Sequence, residues 1–508
     1  MSGNFCESGM VRDGNPLRMG ASRRQFLALG TVSIGAAAAA PVSAPVSAPA
    51  PGSGSGEMPR DSGAEGCRYL LKGGAVLSMD PKVGDFARAD VLVQGKKIMA
   101  IGPELNVTDA AIIDATGTVV MPGFIDTHHH QFQTALRSFL AEGLLSDDGQ
   151  PHGRKNYLNL VLGQLTPVYR PEDVYIGELY ASLSQLDAGV TTVVDTSQVN
   201  HTPEHSDAAI RALRESGRRV RYAYSSGMGA GCAYPRDILR LQKQYFSSSD
   251  QLLTLAMGAE LGGVREEWAL ARQLGVPIVS HLVGGFGHTR TLERLDREGL
   301  IKSDNEFFHA TSLSEASWKV IADTGAGISI AAPVELTMRH GTPPIQTALD
   351  HGVQPSLSSD VECTMTADFF TQMRTVFTLH RGLVNERALK GEAQLPKLLT
   401  CRDVIRFATV EGARVAHLSH KVGSLTPGKE ADIVLLRTDA INVAPLNNVP
   451  GAIVTLMERS NVDTVIVAGR IRKWRGALVS VDLGRLRSEI EASRDYLFKK
   501  ARVRLELF

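Results

Sequence analysis

The feature that most constrains this chain is the stretch from Val119 to His130, which reads V-V-M-P-G-F-I-D-T-H-H-H. Its apolar run predicts a buried strand, and side chains alternate between the two faces of a strand. We therefore expect His128 and His130 to lie on one side of the strand end and His129 on the other. Two converging imidazoles are typical of a metal site that keeps a position open for water. A surface cluster of histidines is the alternative, which an apolar strand led by Pro-Gly does not favour.

The chain beyond this stretch alternates apolar runs with amphipathic segments, which is typical of parallel βαβ units. With the first run included, the candidate strands number eight, enough to close a (β/α)8 barrel in an α/β fold. The candidate strands are Val119–Asp126, Thr191–Thr196, Val220–Tyr224, Leu252–Met257, Pro277–Leu282, Glu306–His309, Gly327–Ala331 and Gln354–Ser359. In such a barrel the chemistry takes place at the C-terminal ends of the strands.

Three of these runs stop on a side chain that can bind a metal or move a proton. The fifth ends at His281, the sixth at His309 and the eighth at Asp360. A capping or core role is the simpler interpretation of any one of them, but their recurrence at strand ends favours a shared site. Gln133, after the first strand, and His201, after the second, are weaker candidates for substrate contacts, because each could instead make a local loop hydrogen bond.

The motif P-G-F-I-D-T-H-H-H resembles the first-strand metal motif of the amidohydrolase superfamily, P-G-x-[IV]-[DN]-x-H-x-H. The most similar branch holds methylthioadenosine/S-adenosylhomocysteine deaminases, 8-oxoguanine deaminases and triazine hydrolases. Gly423 to Val434 is also similar to the superfamily segment G-x-[LI]-x-x-G-K-x-A-D-[LI]-V. The resemblance implies one divalent ion per chain, zinc with iron or manganese as alternatives. Its implied ligands are His128, His130, His281 and Asp360.

The resemblance also implies roles in a reaction. Water bound to a divalent ion becomes nucleophilic near neutral pH, and Asp360 would accept its proton. His309 would contact the substrate and polarise the attacked group. We therefore expect a metal-dependent hydrolase that cleaves a non-peptide C–N bond of a small heterocycle or cyclic amide.

One position departs from this pattern. Deaminases of the branch place a glutamate three residues after the fifth-strand histidine, whereas this chain has Gly284, which cannot move a proton. Lyase or decarboxylase chemistry on the same metal, or a non-catalytic metal-binding or ligand-binding protein, are therefore alternatives. The following glycine-rich loop could bring in His288. Cys363, close behind Asp360, could be a nucleophile, although a lone cysteine is more often a small buried hydrophobe.

The two ends of the chain show short β-branched runs with Gly and Asp turns, which predict one small β-sandwich built from both ends. We expect this domain to comprise residues 67–120 and 421–480, with the barrel at 121–420 and a helical segment at 481–508. The 27 residues of the long connection from Phe139 to Leu165 predict a lid or a subunit contact.

Residues 1–66 predict an export signal and a flexible linker. Ser22 to Leu27, S-R-R-Q-F-L, resembles the twin-arginine motif, and the alanine-rich run Ala28–Ala40 that follows is too short to span a membrane. We expect a periplasmic or extracellular protein. Lys and Arg balance Asp and Glu at 54 each, so no charge excess indicates nucleic acid or an anionic membrane as a partner. A small-molecule substrate is expected, and the resemblance implies a homo-oligomer, a dimer or larger.

Overall fold

The computed structural model describes residues 57–261 and 264–507. The twin-arginine motif and the alanine-rich run therefore lie outside the described residues. Within these two ranges, none of the helices combines the length and the apolar character that crossing a membrane requires.

The strands of the described residues are numbered in chain order. They are β1 (Arg68–Val76), β2 (Phe86–Gln94), β3 (Lys97–Gly102), β4 (Ala111–Asp114), β5 (Thr118–Pro122), β6 (Phe124–His129), β7 (Val190–Ser197), β8 (Arg219–Tyr224), β9 (Leu253–Gly258), β10 (Ile278–Val283), β11 (Asn305–Thr311), β12 (Gly327–Ile330), β13 (Ser356–Leu357), β14 (Ile433–Arg437), β15 (Val462–Val467), β16 (Arg470–Trp474) and β17 (Ala477–Leu478).

The α-helices follow the same order. They are α1 (Pro171–Asp187), α2 (Pro203–Ser216), α3 (Ile238–Tyr245), α4 (Val264–Leu274), α5 (His288–Arg297), α6 (Glu315–Thr324), α7 (Ala332–Thr337), α8 (Ile345–Asp350), α9 (Phe369–Leu389), α10 (Cys401–Arg406), α11 (Gly412–Val415), α12 (Val449–Thr455) and α13 (Leu483–Ala501).

Strands β6 to β13 form an eight-stranded parallel sheet in which every strand pairs with its neighbours in the sequence. The first and last strands of this order meet where His129 bridges Asp360 in parallel register. Two hydrogen bonds make this seam: the Asp360 amide donates to the His128 carbonyl at 2.9 Å, and the His130 amide donates to the Asp360 carbonyl at 2.8 Å. The predicted α/β barrel is confirmed, and its closure coincides with the histidine motif.

The predicted first strand, Val119–Asp126, is wrong as a single strand. Residues Thr118–Pro122 pair with β1 and β14, whereas Phe124–His129 pair with β7 of the barrel. Gly123 separates the two, and a Cβ there would lie 2.2 Å from the Thr191 side chain. Both halves are apolar because both are buried, so the hydropathy pattern carries no sign of the break.

The remaining strands form one mixed sheet of nine strands, in the order β17-β16-β15-β14-β5-β1-β2-β3, with β4 beside β1. The two ends of the chain join in it through the antiparallel pair β5 and β14, where Met121 faces Val434. This sheet encloses an apolar core of its own, which includes Leu71, Val91 and Ile466.

A buried ion pair joins the barrel to this sheet. Arg219, the first residue of β8, donates through Nε and Nη2 to Asp432 at 2.8 and 2.9 Å and through Nη2 to Glu430 at 2.6 Å. All three side chains are at most 4 % exposed. The two carboxylates belong to the K-E-A-D segment that resembles the superfamily motif, so this segment binds the start of β8 to the mixed sheet.

The C-terminal helix α13 packs against α1 at the outside of the barrel. The side chain of Asp482 accepts a hydrogen bond from the Arg485 amide at 3.0 Å and so caps the helix. Ser493 Oγ donates to Asp173 of α1 at 2.8 Å, and Leu497 is fully buried. This contact covers α1 with the end of the chain.

Candidate active site

The histidines at the end of β6 alternate between faces as the sequence predicts. His128 and His130 turn to the inside of the barrel, where their Nε2 atoms lie 3.1 and 3.5 Å from Asp360 Oδ1. His129 turns outward, with Nδ1 3.8 Å from Asp126 Oδ2 and Nε2 4.0 Å from Glu362 Oε2. His128 and His130 therefore belong to the site, and His129 belongs to the packing behind it.

Asp126, which belongs to the same motif, holds the strand ends in place from behind. Its Oδ1 accepts hydrogen bonds from the amides of His128 at 3.2 Å and Ser359 at 3.1 Å, so it links β6 to the residue before Asp360. Its Oδ2 accepts from Gln185 Nε2 of α1 at 2.6 Å. A buried carboxylate with this many donors fixes the backbone on both sides of the barrel seam.

His281, at the end of β10, and His309, at the end of β11, complete the group. The ligand atoms of His128, His130 and His281 lie within 4.8 Å of one another, as do those of His128, His309 and Asp360. His309 and Asp360 have positive φ angles of 72° and 60°, which non-glycine residues adopt rarely and mostly at functional sites. The barrel thus brings together the five strand-end side chains that the sequence singled out.

The outer nitrogens of His128 and His130 are both held by Thr196 of β7. His128 Nδ1 lies 3.0 Å from Thr196 Oγ1, and His130 Nδ1 donates to the Thr196 carbonyl at 3.0 Å. A ring that donates from Nδ1 keeps the lone pair on Nε2, which is the atom that faces Asp360. Such partners behind a histidine orient it as a metal ligand.

The carboxyl groups of two glutamates lie against the outer nitrogens of the other two rings. His281 Nδ1 lies 2.7 Å from Glu260 Oε1, and His309 Nδ1 lies 3.2 Å from Glu335 Oε1. Burial opposes a charge on His281, but Glu260 outweighs it and raises the His281 pKa. Burial lowers the pKa of His309 to about 4 and raises that of Glu335 well above its usual range, so burial favours the uncharged form of each group.

The donor set fits a divalent cation. His128 Nε2 is buried without a hydrogen-bond partner among the described residues, although it lies 3.1 Å from Asp360. Burial lowers the pKa of His128 to about 3. Burial alone would raise the pKa of Asp360, but the histidines around it hold that pKa well below its usual value. A neutral ring nitrogen and a carboxylate that converge in this way are suited to hold a cation between them.

A cavity of about 300 Å³ opens above this group. Its lining combines polar and apolar side chains. The polar lining consists of His130, Gln198, Glu260, His281, His288, His309, His340 and Asp360. The other lining residues are Leu145, Tyr157, Leu158, Leu162, Val283, Phe286, Met338 and Val361. The histidines and carboxylates of this lining suit proton transfer near neutral pH.

The structure does not bring Gln133 and His201 to the cavity. His201 accepts a hydrogen bond from the Met228 amide at Nδ1 and donates to the Thr166 carbonyl from Nε2, both at 2.9 Å. Gln133 Nε2 donates to the hydroxyl of Tyr157 at 2.5 Å. The expected substrate contacts are therefore replaced by loop hydrogen bonds, although Gln133 reaches the cavity indirectly by holding Tyr157.

The long connection between β6 and α1 supplies part of the cavity wall. Tyr157 precedes a short helical segment, Leu158–Leu165, and Leu158 and Leu162 line the cavity. The predicted lid segment therefore covers the site. A subunit contact at this segment stays a prediction.

Gly284 has no room for a side chain. A Cβ at this position would lie 1.9 Å from the Ser312 carbonyl oxygen and 3.0 Å from that of Thr311. His288 folds back beside it, where its Nδ1 accepts a hydrogen bond from the Val283 amide at 3.1 Å, and its ring lines the cavity. The glycine is thus required by the close approach of β10 and the loop after β11.

Cys363 is fully buried, and burial raises the pKa of its thiol well above neutral pH. A protonated buried thiol is a poor nucleophile, so Cys363 packs as a small hydrophobe.

Sequence reasoning gave no individual role to four residues of the site: Thr196, Glu260, Glu335 and His340. Thr196 ends the second predicted strand, and Glu260 lies three residues beyond the fourth predicted strand, so a search for polar side chains at every strand end could have found both. Glu335 and His340 lie in and after α7, beyond the seventh predicted strand, so the strand-end rule places their segment on the catalytic face without giving either side chain a role. The two ring nitrogens of His340 have no hydrogen-bond partner in the described part of the chain.

Comparison with known proteins gives the same family for most of the chain. The amidohydrolase family model matches residues 119–472. The chain is 25 % identical over 434 residues to a 5'-deoxyadenosine deaminase of Methanosarcina mazei, and the alignment covers 79 % of this chain and 92 % of that protein. It is 24 % identical over 445 residues to a 5-methylthioadenosine/S-adenosylhomocysteine deaminase of Pelotomaculum thermopropionicum, with coverages of 83 % and 97 %.

Solved structures show the same fold. An adenosine deaminase from Xanthomonas campestris with bound zinc superimposes with a TM-score of 0.74 at 22 % identity, over 86 % of this chain and 100 % of that one. An atrazine chlorohydrolase from Arthrobacter aurescens TC1 with zinc superimposes with a TM-score of 0.73 at 22 % identity, over 84 % of this chain and 100 % of that one. The match to the family model, which spans more than half of the residues, shows that this chain belongs to the amidohydrolase family and is a hydrolytic enzyme that acts on carbon–nitrogen bonds.

Proposed function

We propose that the chain is a hydrolase with one divalent ion, zinc as the first expectation, that cleaves a C–N bond of a small heterocycle or cyclic amide. The observation that carries this proposal is the shared geometry of four histidines around Asp360. Each ring has its Nδ1 atom held by a protein partner, while the Nε2 atoms of three of them lie within 4 Å of the Asp360 carboxylate. His128, His130, His281 and Asp360 would hold the ion.

The ion, when bound, supplies a Lewis acid that brings the pKa of a water molecule towards neutrality. Asp360 is the base for this water, because it is ionised and lies at the centre of the group. The same carboxyl can then return the proton to the leaving group, since no side chain is present at Gly284 to do so. The products are a carbonyl compound and ammonia or an amine.

His309 polarises the attacked group. In this proposal Glu335 donates a hydrogen bond to His309 Nδ1 and the ring hydrogen lies on Nε2; burial, which raises the pKa of Glu335 well above its usual range, favours this arrangement. Nε2 lies 3.9 Å from Asp360 Oδ2, on the side where the water is activated. A neutral imidazole with its N–H turned to the substrate can stabilise the negative charge that develops on the attacked ring atom.

The test combines metal content with turnover. The wild type is expected to hold about one metal ion per chain. A His128→Ala/His130→Ala double variant should lose the ion, and an exposed control, His420→Ala, should keep it. A panel of amino-substituted heterocycles and cyclic amides, followed by release of ammonia or amine, then tests hydrolysis. Absence of metal from the wild type contradicts the proposal, and release of carbon dioxide instead of an amine indicates a lyase.

We also propose that the protein is exported through the twin-arginine route, which the S-R-R-Q-F-L motif supports. An Arg23→Lys/Arg24→Lys double variant should keep the protein in the cytoplasm of a host with this route, whereas a Lys243→Arg variant should leave export unchanged. Fractionation of periplasm and cytoplasm measures the outcome. Equal export of the double variant contradicts this proposal.

A further inference from the structure

We infer that His340 is a substrate-contact residue, and that the substrate is an uncharged ring with an apolar substituent rather than a nucleoside or an acid. The inference rests on the proposed function and goes beyond it, because it names a residue and a substrate class for the same site.

His340 is a buried polar group without a partner. Its side chain lines the cavity, the residue is only 8 % exposed, and neither ring nitrogen has a hydrogen-bond partner among the described residues. The ring stands edge-on to that of His309, with the centroids 4.6 Å apart. A buried polar atom without a partner is costly, so a natural structure keeps one mainly where a ligand or water pairs with it.

The other cavity histidines do not share this property. The Nδ1 atoms of His130, His281, His288 and His309 are each held by a protein group. In addition, His340 does not belong to the groups of described side chains whose ligand atoms converge. His340 is thus the lining histidine that neither packing nor the metal group accounts for.

The backbone of His340 is held firmly even though its ring is not. The His340 amide donates to the Glu335 carbonyl at 3.0 Å, and Thr311 Oγ1 donates to the His340 carbonyl at 2.9 Å. These bonds tie the residue to the elements that carry His309 and its partner. Because the backbone is fixed, the imidazole ring presents one hydrogen-bond donor and one acceptor beside His309, the group that polarises the substrate.

The charges of the lining disfavour an acidic group on the substrate. The described residues that line the cavity include no lysine or arginine, and Glu260 and Asp360 are carboxylates. With the proposed ion held by its own ligands, a phosphate or carboxylate elsewhere on the substrate would have no lysine or arginine of the lining to pair with it.

The apolar side chains of the cavity disfavour a sugar. Leu158, Leu162 and Phe286 contribute apolar surface, and the Tyr157 hydroxyl, which accepts a hydrogen bond from Gln133, leaves one O–H donor. A ribosyl group there would exchange several hydrogen bonds to water for that one donor, whereas an alkyl group would gain by leaving water. The favoured substrate is therefore a single ring with hydrogen-bonding ring atoms at one end and an alkyl substituent at the other.

The substrate class is tested with one amino-substituted heterocycle in three forms, with N-alkyl, N-ribosyl and N-carboxymethyl substituents. The wild type should favour the alkyl form over each of the others by at least about tenfold in kcat/KM. A ribosyl or carboxymethyl form that reacts equally well or better overturns the substrate class. If the metal-loaded enzyme turns over none of the three forms, the proposed hydrolase activity is contradicted for this ring type. The role of His340 is then decided by the binding experiment.

The residue is tested with His340→Phe, which keeps the ring volume and removes the nitrogens, and His340→Asn, which keeps hydrogen bonding. Binding of the N-alkyl ring that lacks a leaving group is measured by calorimetry on the zinc-loaded enzyme. His340→Phe should raise Kd by about tenfold or more, His340→Asn should recover part of this loss, and both should keep the metal. His420→Phe is the matched control. An unchanged Kd, loss of metal in His340→Phe, or no binding to the wild type overturns the inference.

Discussion

A methyl group at position 284 should disturb the site, although this position carries no functional side chain. In Gly284→Ala the new Cβ would lie 1.9 Å from the Ser312 carbonyl oxygen, and real Cβ contacts essentially never fall below 3.0 Å. The β10 end and the loop after β11 must therefore separate by at least 1.1 Å, the difference between these distances. The obstacle is backbone on both sides, so no side-chain rotation relieves it.

This displacement acts on two residues of the site, because His281 precedes Gly284 by three residues and His309 precedes Ser312 by three. Overpacking of this kind costs about 1–3 kcal/mol of stability. A misplacement of about 1 Å near reacting groups lowers activity by roughly 100-fold. We therefore expect Gly284→Ala, and Gly284→Glu with it, to lower the urea midpoint, the metal content and kcat/KM.

Gly285→Ala is the matched control, because no atom of the described residues lies within 4 Å of its added Cβ. Urea unfolding, metal analysis and turnover of the best ring substrate are measured on the three variants and the wild type. The reasoning fails if Gly284→Ala behaves like Gly285→Ala, or if Gly284→Glu gains activity over the wild type.

Four further expectations concern other parts of the molecule. Arg219→Met should lower the free energy of unfolding by about 3–5 kcal/mol, because it takes the guanidinium from two buried carboxylates and leaves Asp432 without a cation partner. Arg236→Ala, in an exposed pair, should cost less than about 1 kcal/mol, and equal urea midpoints of the two variants would contradict this. Glu260→Gln should weaken metal binding by about 10–100-fold in a chelator competition, because the carboxylate that orients His281 through its Nδ1 atom is lost. Cys363→Ala should keep its activity and its metal, and the thiol of the folded wild type should resist alkylation at neutral pH, because burial raises its pKa; rapid modification would refute this. Burial raises the pKa of Asp195, which is paired with the buried Glu178, so the folded chain holds a proton that the unfolded chain releases and stability is lost as the pH rises from the ordinary Asp range towards neutrality. The stability of the wild type relative to Asp195→Asn should fall over that range, and a constant difference in urea unfolding would exclude this linkage.

The parts of the site that sequence reasoning placed correctly share one physical basis. Parallel strands of a barrel end on the same face, so His281, His309 and Asp360 could be brought together from strand order alone. The alternation of side chains along β6 separated His128 and His130 from their neighbour. The proximity of residues that are far apart in the sequence could therefore be predicted from rules that apply to each strand separately.

The parts that failed depend on contacts between distant segments. His201 also follows a strand, but its nitrogens are bonded to the backbone at Thr166 and Met228, which no pattern near His201 reveals. Gly123 divides two strands that belong to different sheets, and both strands are apolar. His340 lies on a loop beyond the seventh strand, and its position against His309 follows from how that loop is tied back.

The seam that closes the barrel joins residues more than 200 positions apart, and it runs through the candidate metal ligands themselves. The backbone of Asp360 bonds to those of His128 and His130, while the three side chains converge on the other side of the same residues. Closure of the barrel and assembly of the ligand set therefore use the same residues, and a bound cation would hold the first and last strands of the barrel together. Removal of metal should first loosen residues 128–130 and 358–360, so amide hydrogen exchange there should quicken before the opposite wall of the barrel, at β9, responds.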